Sequence, residues 1–333
     1  MFSRRQILSV LAPTGVLLAT RRGIMTTTAA QRTGAAPVRR TTGQTRDIAG
    51  IYPAPGFHWV GDGFRVAGYF SAIPDAVRRL DPFLMLDYHP THEYSPTARP
   101  RGVGVHPHRG FETVTLAWQG SVAHHDSTGA GGIIGPGDVQ WMTAGAGILH
   151  KEYHSEAFSR SGGPFQMAQL WVNLPAAHKL APPRYQPLVA SQMGIVQLAD
   201  GAGQVRVIAG ELAGVRGPAQ TFTPINVFDA RLQPGGTLPL SFPARQNTAV
   251  LVMAGEVLVN ETTPARQGDF VLFKNQGEHI AIAASSEAQL LILNGEPIGE
   301  PVVQYGPFVM NSEREIAQAI SDFNRGKFGY LAD

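Results

Sequence analysis

Residues 102–154 read GVGVHPHRGFETVTLAWQGSVAHHDSTGAGGIIGPGDVQWMTAGAGILHKEYH and hold six of the chain's eleven histidines. His106 and His108 are two residues apart, as are His150 and Glu152. Side chains alternate across a β-strand, so each pair presents both members to one face. Two such strands with those faces opposed place three imidazoles and one carboxylate around a point. That is a metal site of N/O type without thiolate, suited to Fe(II), Mn, Ni, Cu or Zn. Spacing alone leaves the set open. In a straight strand Glu112 shares the face of His106 and His108, and His154 follows His150 and Glu152 at the same interval. Glu112 and Glu152 are therefore both candidate carboxylates. His124 and His125 are adjacent, so only one of them can point inward. His89 and His92 follow the apolar run 80–88 and read as residues of a polar surface loop.

Working outward, turn signals are dense between short β-type runs. Gly120-Ser121, Thr128-Gly129, Gly131-Gly132 and Gly135-Pro136-Gly137 separate runs at 113–118, 139–142 and 166–174. This spacing predicts a small antiparallel β-barrel or jelly roll over residues 51–174. Four prolines within 175–188 mark an interdomain linker. Residues 189–300 then repeat the theme: LVMAGEVLVN (251–260) parallels LAWQGSVAHH (116–125), and QGDFVLF (267–273) parallels PGDVQWM (136–142). Aligning Gly255 with Gly120 puts Ser241 and Pro243 where His106 and His108 stand, and His279 is the only histidine of this half. The repeat predicts a second, ligand-poor barrel. In the tail, 301–333, Ser312 and Glu315 form a capping box ahead of Ile316, Ala319, Ile320 and Phe323, which predicts one amphipathic helix over 313–325.

Composition bounds the rest. With 38 Gly and 25 Pro among 333 residues, short strands and tight turns are favoured over long helices. There is no Cys, which excludes disulfides, zinc-thiolate sites and a cysteine nucleophile. Of the 27 Lys and Arg residues, eight lie in the first 46 positions, which hold no acidic residue. The remainder carries 19 basic against 25 acidic residues, so the folded body offers no basic surplus for direct nucleic-acid binding. Arg4 and Arg5 precede a short apolar run interrupted by Pro13 and Gly15. Ser3-Arg4-Arg5-Gln6-Ile7-Leu8 resembles a twin-arginine export signal over 1–30, with periplasmic destination, and the run is too short to span a membrane. The alternative is a cytoplasmic protein beginning at Met25. Residues 31–50 read as a disordered linker.

The motifs HPHRGFETVT (106–115), GSVAHHDS (120–127), GPGDVQWMTAGAGILHKE (135–152) and GEPIGEPVVQYGPFVMNS (295–312) resemble the pirin family, and the first and third also fit the broader cupin pattern. LDPFLMLDY (80–88) and FQMAQLWVNLP (165–175) extend the likeness to roughly 50–333, while DYHPTHEYSP (87–96) falls outside it. The resemblance implies an all-β bicupin of two antiparallel β-barrels of jelly-roll type, closed by the C-terminal helix. It implies one divalent metal ion, Fe(2+), in the N-terminal barrel only. The implied ligands are His106, His108, His150 and Glu152, which favours Glu152 over Glu112. It further implies a quercetin 2,3-dioxygenase-like activity on a flavonol-like aromatic substrate and O2, with Glu152 as general base. The alternative it carries is a non-catalytic iron-binding regulator acting through protein partners.

Overall fold

A computed structural model of the chain describes residues 33–34 and 43–333. The export signal expected over 1–30 and most of the stretch after it lie outside the described residues. Two sheets build each half. In the first, a seven-stranded sheet runs in the order Arg184–Leu188, Val139–Thr143, Phe111–Gln119, Gly163–Asn173, Phe83–Tyr94, Phe64–Gly68, Phe57–Val60. It faces a four-stranded sheet ordered Gly102–His108, Ile148–His154, Val122–Asp126, Gly131–Ile134. In the second half an eight-stranded sheet, with Ile48–Tyr52 at one edge and Ile225–Leu232, Ala288–Gly295, Asn247–Ala254 and Phe270–Phe273 inside it, faces the four strands Thr237–Ser241, His279–Ala284, Glu256–Val259 and Thr263–Arg266. Pairing is antiparallel apart from the short Thr33–Gly34 edge. The protein is thus all-β with two barrels and a C-terminal helix, Glu313–Asn324, as the repeat and the capping box predict.

The two large sheets pack against each other. Val114, Leu116, Trp118, Trp141 and Leu170 from the first and Ile208, Val227, Leu251, Leu272 and Leu291 from the second form one buried cluster. Such residues alternate along each strand, so the opposite face of each large sheet is left for the interior of its own barrel. A polar tie crosses the seam. Asp229 accepts from Trp118 Nε1 at 3.0 Å and pairs with Arg206 at 2.8 Å.

Three sequence-based expectations differ here. Residues 184–188, assigned to the linker from their prolines, are an edge strand of the first sheet. Pro187 sits there opposite Gln140, at an edge where a missing N–H is tolerated. Residues 87–94 continue the Phe83–Tyr94 strand instead of forming a surface loop. His89 is fully buried, with Nε2 2.9 Å from the Tyr94 hydroxyl and Nδ1 2.8 Å from the Pro90 carbonyl. His92 is partly buried in the same strand. The end of the expected disordered linker is also ordered: Ile48–Tyr52 pairs with Phe270–Phe273, and Arg46 is wholly buried in the second barrel. Its guanidinium donates to the carbonyls of Gly277, Gln246, Phe242 and Pro243 and to Thr248 Oγ1 at 2.7–3.1 Å. A cation with no periodic signal in sequence is placed by a ring of five acceptors.

Arg46→Met should therefore destabilise the protein by about 3 kcal/mol, because it leaves buried carbonyls without donors. The urea midpoint of the purified variant checks this, and an unchanged midpoint would show that Arg46 is dispensable.

Candidate metal centre

The site is made by one antiparallel strand pair. Gly102–His108 and Ile148–His154 run with His106 opposite His150 and His108 opposite Ile148. Alternation turns the histidines into the barrel. The ring centroids of His106 and His150 are 4.2 Å apart, of His108 and His150 4.7 Å, and of His106 and His108 4.8 Å. One potential ligand atom from each of the three lies within 4.8 Å of the others. Burial pushes all three pKa values down, so the rings are neutral and carry free lone pairs.

Hydrogen bonding decides what the rings can hold. His106 Nδ1 lies 2.8 Å from the Gly104 carbonyl, to which it can only donate, and that leaves Nε2 as the acceptor. Both ring nitrogens of His108 and of His150 are buried without a hydrogen-bond partner. Orphaned polar groups of this kind cost about 1–3 kcal/mol each, so two such rings beside a third call for a ligand. A divalent metal fits: neutral imidazoles converge on one point, and one ring is already oriented through its second nitrogen.

Glu152 lies two residues beyond His150, past a slip in strand register, and is buried in the same interior. It is not part of the close triad. Its Oε1 accepts from Thr115 at 3.0 Å and its Oε2 from Gln169 at 2.8 Å, both across the barrel. Burial raises its pKa, against the pull of those two hydrogen bonds.

Glu112 is elsewhere. The chain leaves the four-stranded sheet at Arg109-Gly110 and enters the seven-stranded one, which resets the alternation. Gly110 makes the corner at φ +86°, with the Val309 carbonyl where a Cβ would stand. Beyond it Phe111, against His108 and Trp171, and Thr115, on Glu152, point into the barrel. Glu112 shares the other face with Val114 and Leu116 and accepts from Thr143 Oγ1 at 2.7 Å. Burial lifts its pKa to about 7. His124 is buried opposite Glu152 and stacked on Tyr185, with ring centroids 4.4 Å apart, whereas His125 is exposed. His154 is buried with Nε2 2.9 Å from the Gly63 carbonyl. Neither His124 nor His154 joins the triad. Thr115 and Gln169 escape sequence reasoning because the corner at Gly110 hides which face of their sheet meets the ligands.

The second barrel carries no counterpart. The turns align as expected, with Gly120 at φ +73° and Gly255 at φ +79°. Ser241 pairs with His279 as His106 pairs with His150, but Ser241 is exposed and His279 partly exposed, so that pair faces outward. The corner before Asn247, residues 242–246, is longer than the two-residue corner at Arg109-Gly110. The inward positions are consequently Leu240, Phe242, Ile280 and Ile282, packed in an apolar core.

Residues 63–172 match the family model described as Pirin, and 227–329 match the Pirin C-terminal cupin domain. A Pseudomonas aeruginosa protein provisionally named quercetin 2,3-dioxygenase is 49% identical over 283 residues, 85% of this chain and 98% of that protein. The chain belongs to the pirin family. Human pirin is 36% identical over 266 residues, 76% of this chain and 85% of that protein. Among solved structures, a quercetin 2,3-dioxygenase from Acinetobacter baumannii is 45% identical and aligns with a TM-score of 0.83 over 87% of this chain and 100% of that one. A bacterial pirin from Escherichia coli in complex with nickel(II) shares the fold at 20% identity, with a TM-score of 0.57 over 74% of this chain and 99% of that one. In this pirin no helix among the described residues is long and apolar enough to cross a membrane.

Two outcomes are expected. Elemental analysis of fully loaded protein should find about one metal per chain, since only the first barrel presents donors. A value of two would refute the apolar reading of the second. Glu112 binds its proton more tightly folded, near pH 7, than unfolded, near 4.5. Its contribution is therefore complete below about pH 4.5 and is lost as pH rises to about 7. Glu112→Gln should remove that decline, raising stability at pH 8 by up to about 3 kcal/mol while leaving metal content unchanged. Denaturant titrations at pH 4.5 and 8 with parallel metal analysis would show it.

Proposed function

We propose that the protein is a metal-dependent dioxygenase acting on flavonol-like aromatic substrates, with Fe(II) held by His106, His108, His150 and Glu152. The observation that carries this is the convergence of three neutral imidazoles, those of His108 and His150 buried without hydrogen-bond partners, with a buried carboxylate two residues beyond His150. The likeness to proteins named quercetin 2,3-dioxygenase, at 49% and 45% identity, supplies the substrate class. A divalent metal bound there offers Lewis acidity and open positions for an oxygen-chelating substrate and O2.

The chain's own residues supply the proton chemistry and the walls. Glu152, with its pKa raised by burial, takes the proton of the substrate's 3-hydroxyl. Thr115 and Gln169 fix the carboxylate from either side, so it meets that hydroxyl in one orientation. Gly104 fixes the tautomer of His106. Trp171, partly exposed beside His108 and backed by buried Phe111 at 4.3 Å, gives a flat apolar surface against which an aromatic ring packs. We also propose that the Arg4-Arg5 leader sends the folded protein to the periplasm by the twin-arginine route.

Oxygen uptake with a flavonol panel, on protein loaded with Fe(II), tests the activity. Glu152→Gln should lower turnover by about 100-fold or more, because a carboxamide accepts no proton. Metal content measured on the same samples separates lost metal from a lost base. Protein that binds metal and consumes oxygen with none of the flavonols would instead support the regulatory role.

A further inference from the structure

The residues flanking each histidine of the triad share a feature that the metal chemistry does not use. On the outer side of the ligand strand pair, they are gripped by residues 307–333. Arg109, immediately after His108, is buried and donates to Asp322 Oδ2 at 2.8 Å, and its guanidinium lies 5.7 Å from the Phe328 ring. Its backbone is paired on both sides, with Arg109 N on the Pro307 carbonyl and Val309 N on the Arg109 carbonyl. Leu149, immediately before His150, donates its N–H to Ser127 Oγ at 3.0 Å, and Ser127 in turn donates to the Phe328 carbonyl. Lys151, between His150 and Glu152, donates to the Ala332 carbonyl at 2.7 Å. Tyr153, after Glu152, donates to Asp333 Oδ1 at 2.9 Å. Gly104, whose carbonyl orients His106, lies so close to the Asp333 carboxylate that a Cβ there would approach it to 2.9 Å.

The segment is itself rigidly anchored. The Glu313–Asn324 helix is capped by Ser312 and packs Ile316 and Ala319 with Phe308, Met310 and Phe328 in a small core of its own. Asp322 holds Lys327 at 2.8 Å as well as Arg109, and buried Lys179 ties the Val309 carbonyl to that of Gly110. Gly102–His108 is the edge strand of its sheet, held by hydrogen-bonded strand pairing on one side only, and imidazoles must converge within about a few tenths of an ångström to bind one ion.

We propose that residues 307–333 form a clamp on the outer face of the ligand strands. It sets the convergence of His106, His108 and His150, and with it the metal affinity of the first barrel. Arg109, Ser127, Lys151 and Asp322 are positioning residues: none of them meets the metal. The proposal rests on the triad being the metal site.

Cobalt(II) alone is the probe, with affinity read by chelator competition and coordination read from the visible absorption of bound cobalt. Two variants are compared with the parent. In one, the chain ends after Lys327, which removes Phe328 and the strap beyond it. The other, Lys151→Met with Asp322→Asn, keeps the small core and cuts the grips. Both should bind cobalt about 10-fold or more weakly and shift its absorption bands, as expected when supports behind ligands are lost. Far-UV circular dichroism should stay that of the parent. Asp322→Glu, which keeps the ion pair with Arg109, should restore affinity relative to Asp322→Asn. Should the truncated chain fail to fold, the double variant decides. Folded variants with parental affinity and parental cobalt spectrum would overturn the clamp while leaving the metal site standing. A parent that bound no cobalt would overturn both.

Discussion

Three neutral imidazoles enclosed in a β-barrel must find a partner. His108 and His150 make no hydrogen bond at either nitrogen, and burial keeps them uncharged. In a protein interior that is a costly arrangement unless an ion supplies the missing interaction. The surroundings follow from that demand. Gly104 orients one ring, Gly110 turns the chain sharply so that the next strand can face the site with Phe111 and Thr115, and unbroken alternation along Ile148–His154 keeps Glu152 on the inward face of His150. The second barrel meets the same architectural problem by a different route. There the equivalent positions are Leu240, Phe242, Ile280 and Ile282, which need no polar partner, and Arg46 closes the neighbouring corner with a cation and five acceptors.

Much of this was legible in the chain before any coordinates. The i,i+2 pairs His106/His108 and His150/Glu152 indicate an inward face because strand alternation leaves no other choice once the strands are granted. Ser312 and the apolar spacing after it locate the final helix to within a residue of its observed end. Failures occur where alternation is interrupted or overruled. Glu112 lies only four residues from His108, yet the corner at Gly110 sends it to the opposite face. The longer corner before Asn247 likewise goes with a Ser241–His279 pair that faces outward. His89 sits in a polar, turn-like run that pairing with the Gly163–Asn173 strand holds extended. Arg46 stands in a stretch rich in Thr and Arg, where nothing local announces burial. Each of these misses concerns a property set by a distant partner.

The carboxylates illustrate how environment divides labour between identical side chains. Glu112 and Glu152 are both buried, and burial raises both pKa values. Glu152 receives donors at both oxygens from across the barrel and shares the inward face of its strand with His150, whereas Glu112 rests on Thr143 against the sheet-to-sheet seam. The face of the sheet each occupies, and not its acidity, distinguishes the two.

The N-terminal edge strand of the second barrel has a consequence for biosynthesis. Ile48–Tyr52 emerges from the ribosome early but pairs with Phe270–Phe273, and Arg46 waits for acceptors between Phe242 and Gly277. Its partners are made only after the entire first barrel and most of the second. The clamp residues around Asp322 come later still. The second barrel's large sheet and the contacts behind the ligand strands are therefore completed only near the end of translation, as expected of a fold dominated by contacts between residues far apart in sequence.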